Sequence, residues 1–242
     1  MKVVILAGGF GTRLAEMTNK IPKPMVPIGG KPILWHIMNY YASFGHNEFI
    51  LALGYKADLV KDFFLNYASL NSDFTVDLKT GECSWHNHSK LDWKITLVDT
   101  GLNTMTGGRI KRLKNYVGDK TFMLTYGDGL SNVDIPKLID FHLTNKKKIT
   151  VSAVRPLARF GEMRIKDGMV TSFQEKPQTG EGWVNGGYFV LEPSFIELIE
   201  DDSTVLEKEP LEYVARNDEL AAYKHEDFWQ CMDTIRDKEY LE

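Results

Sequence analysis

Apolar runs of strand length recur along the chain at Val3–Ala7, Phe49–Leu53, Ile95–Val98, Phe122–Tyr126, Ile149–Val154 and Val184–Leu191. Most are continuously apolar and do not alternate, as in strands covered on both faces of a parallel sheet. Between them the apolar positions change to helical spacing: Leu34, Ile37, Met38 and Tyr41; Leu59, Val60, Phe63 and Phe64; Ile110, Leu113 and Val117; Ile135, Leu138, Ile139 and His142. Strand and helix alternate through the first 154 residues, which predicts a wound α/β architecture. The later part differs. Met163–Ile165, Asp167-Gly168 and Met169–Phe173 predict a hairpin on a two-residue turn; Phe74–Leu78, Lys79–Glu82 and Cys83–His86 predict another. No stretch is rich enough in Pro, Gly or Ser to be a linker, and no internal repeat is visible, so a single domain over 1–242 is expected.

Composition narrows the classes. At 43% hydrophobic and 26% charged, the 242 residues are neither disordered nor fibrous. The longest apolar run, Val3–Ala7, is far short of the roughly 18 residues that cross a bilayer. It is also too short for a signal segment, and only Lys2 precedes it, so a cytoplasmic protein is expected. Cys83 and Cys231 make neither a disulfide framework nor a CxxC metal site. The net charge of -4 argues against non-specific binding to nucleic acid or membranes, both of which draw on a positive surface. It leaves small anionic substrates open, because a local cluster of cations can hold phosphates inside an acidic shell.

The first strand runs straight into Gly8-Gly9-Phe10-Gly11-Thr12-Arg13, after which Leu14-Ala15-Glu16-Met17 can begin a helix. Strand, glycine turn and helix in that order offer main-chain N–H groups to a phosphate. Leu14 stands where a dinucleotide fingerprint needs its third glycine, and there is no GxxxxGK(S/T) run, so the loop is neither of those motifs. Arg13 adds a forked cation, although from the turn alone a solvated arginine reads equally well. Pro22-Lys23-Pro24 tips the balance, since the prolines stiffen the backbone that presents Lys23. Asp128 directly follows an apolar strand, on the rim where wound sheets hold ligands; alone it also reads as an Asp-Gly turn. Asp233 precedes a helical Thr234–Leu241 and by itself reads as a helix cap or first-turn acid. The histidines offer no better metal site. His86 and His88 fall on the hairpin at 74–86 and its flank, while His36 and His142 sit in helical patterns.

The segments Leu6-Ala7-Gly8-Gly9-Phe10-Gly11-Thr12-Arg13-Leu14 and Pro22-Lys23-Pro24-Met25 together resemble the signature of the sugar-phosphate nucleotidyltransferases. Those enzymes join a nucleoside triphosphate to a sugar 1-phosphate and release pyrophosphate. The likeness continues through Gly29-Gly30-Lys31-Pro32-Ile33-Leu34-Trp35-His36, Tyr126-Gly127-Asp128-Gly129, Phe173-Gln174-Glu175-Lys176-Pro177 and Asn185-Gly186-Gly187. Val98-Asp99-Thr100-Gly101, Met105-Thr106-Gly107-Gly108-Arg109, Arg159-Phe160-Gly161 and Trp229-Gln230-Cys231-Met232-Asp233-Thr234 are similar to the branch that uses CTP and glucose 1-phosphate.

The resemblance implies a Rossmann-like α/β fold: a wound, mixed and mostly parallel sheet with helices on both faces and small β-hairpin decorations. It implies a nucleotide-binding part over about 1–130 and a sugar-phosphate-binding part over about 131–242. Leu6, Ala7, Gly8, Gly9, Gly11, Thr12, Arg13, Lys23, Thr104, Arg109 and Gly127 would bind the nucleotide, with Arg13 and Lys23 catalytic. Tyr126, Glu175, Lys176 and Asn185 would hold the sugar phosphate, and Asp128 and Asp233 a Mg²⁺. Reading cytosine needs donors for its O2 and N3, which Arg109 and Thr104 can supply, and an acceptor for its amino group. The resemblance also implies a homo-oligomer, a hexamer among the assemblies it allows, with small-molecule substrates and no nucleic-acid or membrane partner. From the residues alone, a uridylyl- or thymidylyltransferase and a non-catalytic sugar-nucleotide sensor stay open.

Overall fold

A computed structural model of the chain describes residues 1–86, 91–156, 162–166, 169–174 and 182–242. The six expected strands are β1 (Lys2–Leu6), β2 (Glu48–Leu53), β3 (Lys94–Asp99), β4 (Phe122–Tyr126), β5 (Ile149–Val154) and β6 (Val184–Leu191). A further strand, β7 (Leu220–His225), carries no long apolar run and emerges only in the fold. The sheet has the order β7-β5-β6-β4-β1-β2-β3. Every neighbouring pair is parallel except those of β6, which runs antiparallel to both β4 and β5. The architecture is therefore the mixed, mostly parallel sheet expected.

Helices α1 (Ile33–Ser43), α2 (Ala57–Leu65), α3 (Thr106–Arg112), α4 (Ile135–Asn145), α5 (Glu209–Arg216) and α6 (Ile235–Leu241) are laid around it. Successive residues of a strand face opposite ways, so a continuously apolar strand feeds two cores. Val3 and Ile5 join Phe49, Leu51, Met123 and Val190 in one core, closed by Leu34, Ile37 and Met38 of α1 and Leu138 of α4. Val4 and Leu6 join Ile50, Ala52, Leu124 and Phe189 in the other, closed by Ile110 of α3 and Val214 of α5. The helices thus cover both faces.

Two helical expectations change in detail. The Ile110–Val117 spacing predicts one helix, yet α3 ends at Arg112 and a separate turn, Lys114–Val117, carries Val117. Leu113 lies between them at φ -90, ψ -1, and it still buries its side chain in the second core. In α2 the core face is Ala57 and Val60, and Leu59 is turned outward. Both hairpins form: Asp73–Val76 pairs with Cys83–His86, and Glu162–Lys166 with Met169–Gln174. The turn at Asp167-Gly168 lies outside the described residues. Strand β1 is flanked by β2 on one side and β4 on the other, so its carboxyl end is where the winding reverses, the usual place for a ligand in such sheets.

Candidate active site

The chain leaves β1 at Leu6 between the ends of its two neighbours: Ala7 N–H donates to Ala52 O at 3.0 Å, and Gly127 N–H to Leu6 O at 3.1 Å. A Cβ on Gly8 would lie 2.3 Å from Arg109 Nη1 and 2.9 Å from Gly54 N, so this step of the loop accepts only glycine. Arg109, on α3, is 4% exposed. Its Nη1 donates to Leu53 O (2.9 Å), Thr100 Oγ1 (2.7 Å) and Gly101 O (2.8 Å), and its Nη2 to Gly8 O (3.0 Å) and Leu102 O (3.3 Å). Burial pulls its pKa down while the charge of Asp99 opposes that shift. The guanidinium is solvated by oxygen dipoles and braces the loops that follow β1, β2 and β3. It lines the cavity, but these donors hold main-chain oxygens and the Thr100 hydroxyl and not an open edge for a base.

Leu6, Ala7, Gly8, Gly9, Gly11, Thr12, Arg13, Lys23, Thr104, Arg109, Tyr126, Gly127 and Asp128 all line one cavity of about 550 Å³. That volume suits a ligand of nucleotide size. Lys23 sits in a short 3-10 turn behind Pro22, and its side chain is only 8% exposed. Its Nζ donates to Asp128 Oδ2 at 2.5 Å and to Asp233 Oδ1 at 2.7 Å. Burial alone would lower the ammonium's pKa; the charge of Asp128 and the bonds to both carboxylates outweigh it and hold the pKa above its ordinary value. Arg13, largely exposed at the cavity mouth, pairs with the second oxygen of Asp233. Residues 220 and 210 positions apart thus meet at one rim.

Asp233 is not the helix cap its position suggests. Thr234 takes that role: its hydroxyl accepts from Asp237 N–H at 3.2 Å, and Asp237 Oδ2 accepts from Thr234 N–H at 2.8 Å. The same Oδ2 accepts from Asp233 N–H at 3.0 Å, which fixes the Asp233 backbone and leaves its carboxylate to the cations. Asp237→Ala is expected to lower stability by about 1–2 kcal/mol, or about 2–8 °C in melting temperature, and to slow turnover by loosening Asp233. Thermal unfolding and steady-state rates check it; a variant unchanged in both would show that the cap does not orient the acid.

Among the described residues, one ligand atom each from Asp128, Cys231 and Asp233 lie within 4.8 Å of one another. Burial and then the charge of Asp128 push the Cys231 thiol's pKa far up, so it is a poor donor for a hard cation. The two carboxylates suit Mg²⁺, which takes one or two carboxylates and completes its shell with phosphate oxygens and water. An ammonium already resting on both shows that the place accepts positive charge.

At the other end of the cavity Tyr126 closes β4. Gly187, at φ +81, lies so close to its ring that a Cβ would stand 2.7 Å from Cδ2. Asn185 Nδ2 donates to the Tyr126 hydroxyl at 3.3 Å, and Trp229 Nε1 pins Gly186 O at 2.7 Å. Glu175 and Lys176, expected at this end, lie outside the described residues, as do Arg159 and His88. His86 bonds Thr75 within its hairpin, and His36 and His142 bond Ile28 O and Thr150, so these three are structural.

Two features are missing from the sequence reading. The loop before α3 docks on residues 201–204: Met105 N–H donates to Asp202 O at 2.8 Å and Gly107 N–H to Thr204 O at 3.0 Å. Glu207 then bonds the hydroxyls of both Thr106 and Tyr126. Within Glu207-Lys208-Glu209 it looks like one more solvated charge; only the Thr106 and Tyr126 partners, about 100 and 80 residues away, reveal it.

Comparison with known proteins agrees with this geometry. The "Nucleotidyl transferase" family model matches residues 2–235. The chain is 51% identical over 243 aligned positions to the glucose-1-phosphate cytidylyltransferase of Salmonella typhimurium, covering 100% of this chain and 95% of that one. It is 47% identical to the probable glucose-1-phosphate cytidylyltransferase of Bacillus subtilis, covering 98% and 92%. Among solved structures, HddC from Yersinia pseudotuberculosis complexed with GMP-PN superposes with a TM-score of 0.71 at 28% identity, covering 99% of this chain and 97% of that one. With the cations, the acids and the glycine loop gathered at one rim, and with that family model spanning nearly its whole length, the chain belongs to the nucleotidyl transferase family.

Proposed function

We propose that the chain transfers a cytidylyl group from CTP to α-D-glucose 1-phosphate, giving CDP-glucose and pyrophosphate. The observation that carries the reading is the meeting of Lys23, Arg13, Asp128 and Asp233 at the mouth of the glycine-loop cavity. The base and sugar rest on the half-identical relatives named above. The reaction is an in-line attack of a sugar-phosphate oxygen on the α-phosphorus. Both reactants are anions, so alignment and neutralisation are the main work. The glycine-loop N–H groups and Arg13 bind the β- and γ-phosphates and stabilise the departing pyrophosphate. Lys23 neutralises charge beside the reacting phosphates. The attacking oxygen is already ionised at neutral pH, so no side chain has to remove a proton.

Asp128 and Asp233 would hold Mg²⁺, which when bound supplies charge neutralisation to the triphosphate. Thr104 faces the base end of the cavity, and Tyr126, Asn185, Glu175 and Lys176 serve the sugar phosphate. The nucleotide-binding part over about 1–130 and the sugar part over about 131–242 share one sheet in this reading. No helix among the described residues is long and apolar enough to cross a membrane. A cytoplasmic homo-oligomer acting on small soluble substrates fits the same picture.

A pyrophosphate-release screen of CTP, UTP, dTTP, ATP and GTP against several hexose 1-phosphates, with and without Mg²⁺, tests the proposal. Release is expected with CTP and glucose 1-phosphate and only with the metal. A preference for UTP or dTTP would reassign the base, and nucleotide binding without release under any pairing would make the protein a sensor.

A further inference from the structure

Glu207 precedes α5 and stands outside the motifs that carry the family likeness. Its carboxylate is divided between two partners. Oε1 accepts from the Tyr126 hydroxyl at 2.6 Å, and Oε2 accepts from the Thr106 hydroxyl at 2.7 Å. Thr106 Oγ1 in turn accepts from Leu206 N–H at 2.9 Å, so the carboxylate is anchored through its own neighbour as well as through α3. Both of its partners line the cavity. The Tyr126 ring is fixed too, edge-on to Phe189 with centroids 6.0 Å apart and backed by Gly187.

A phenol carries one proton and two lone pairs, so its hydrogen bonding toward a ligand depends on where that proton goes. Here it goes to Glu207. The oxygen is left to accept, which is how Asn185 Nδ2 already uses it at 3.3 Å. Burial, followed by the neighbouring charge of Glu207, pushes the phenol's pKa well up, so the proton is not lost to solvent.

We infer that Glu207 is a specificity-determining positioning residue: by taking the Tyr126 proton it turns the phenol oxygen into an acceptor that selects a sugar hydroxyl. The inference rests on the reading above that Tyr126 faces the hexose. A phosphate oxygen or a fluorine placed against Tyr126 has no proton to give, and a phosphate would also meet the Glu207 charge. The sugar phosphate is therefore turned ring-first toward Tyr126, with its anionic end toward Lys23.

The test compares kcat/KM for glucose 1-phosphate with that for its 2-, 3-, 4- and 6-deoxyfluoro analogues, where fluorine replaces a hydroxyl and cannot donate. The parent enzyme, Tyr126→Phe, Glu207→Ala, Glu207→Met and Glu207→Gln are each measured, with thermal unfolding as the check on folding. The parent is expected to disfavour one analogue by about 3–10-fold more than the variants do, the worth of one neutral hydrogen bond. Tyr126→Phe, Glu207→Ala and Glu207→Met should lose that discrimination. Glu207→Gln should keep it, because its amide oxygen still accepts from Tyr126. Any intrinsic effect of fluorine on reactivity is common to all five proteins and cancels. If Tyr126→Phe loses the discrimination while Glu207→Ala and Glu207→Met retain it, the role given to Glu207 is wrong and the sugar-facing Tyr126 stands. If Tyr126→Phe discriminates as the parent does, Tyr126 does not face the hexose, and the inference falls with that reading.

Discussion

Lys23→Ala is expected to lower turnover by about 10²–10³-fold, the usual cost of removing one preorganised donor from a site where charge develops. The side chain is buried, its backbone is stiffened by Pro22 and Pro24, and its Nζ already touches both acids at 2.5 and 2.7 Å. Two opposite effects should follow. Turnover falls, because the fixed charge beside the reacting phosphates is lost. Binding of Mg²⁺ to the free protein tightens, because the ammonium that competes for Asp128 and Asp233 is gone. Steady-state rates and a calorimetric Mg²⁺ titration measure the two separately. A variant with near-normal turnover would remove Lys23 from the chemistry, and weaker Mg²⁺ binding would mean that the two acids do not share a cation with it.

Arg109→Met should cost about 3–5 kcal/mol of stability, corresponding to about 6–20 °C in melting temperature for a chain of this size. Methionine fills similar space and takes the donor from the carbonyls of Gly101 and Leu102, while Gly8 O is left with Tyr55 N–H alone, Leu53 O with Thr100 alone, and the Thr100 hydroxyl without the fork it accepts from. Each buried group left unpaired costs about 1–3 kcal/mol, and local relaxation makes the total smaller than the sum. Arg109→Lys should recover only part of the loss, because an ammonium is a point charge with three donors and cannot span five acceptors as a planar fork does. Thermal or urea unfolding decides it. If the methionine variant lies within about 1 kcal/mol of the parent, the brace across the three loops is not a stabilising element.

The sequence made the central sheet legible wherever a strand is buried on both faces, because such strands need no alternation. It hid β7, since Leu220-Ala221-Ala222-Tyr223-Lys224-His225 lies at the sheet edge, half-buried along most of its length. The glycine loop, Pro22-Lys23-Pro24 and Tyr126-Gly127-Asp128 were legible because their chemistry is local. Their convergence with Asp233 was legible only through the family resemblance, since it depends on the Trp229–Cys231 strand pairing with Gly129–Ser131 and carrying the end of the chain back to the rim. Arg109 marks the limit from the other side. Residue type announces a forked donor, and only packing shows that its fork is spent on four main-chain oxygens and the Thr100 hydroxyl. The docking of α3 is likewise a matter of packing: Gly107 and Gly108 press against Thr204 and Asp202.

The ammonium lying across Asp128 and Asp233 has a consequence for the life of the protein outside its reaction. Two acids facing each other would otherwise repel and would have to wait for an ion before the rim could settle. With an internal counter-charge in place the rim is set without an added ion, so folding is expected to proceed where magnesium is scarce, and only the proposed reaction would call for the metal.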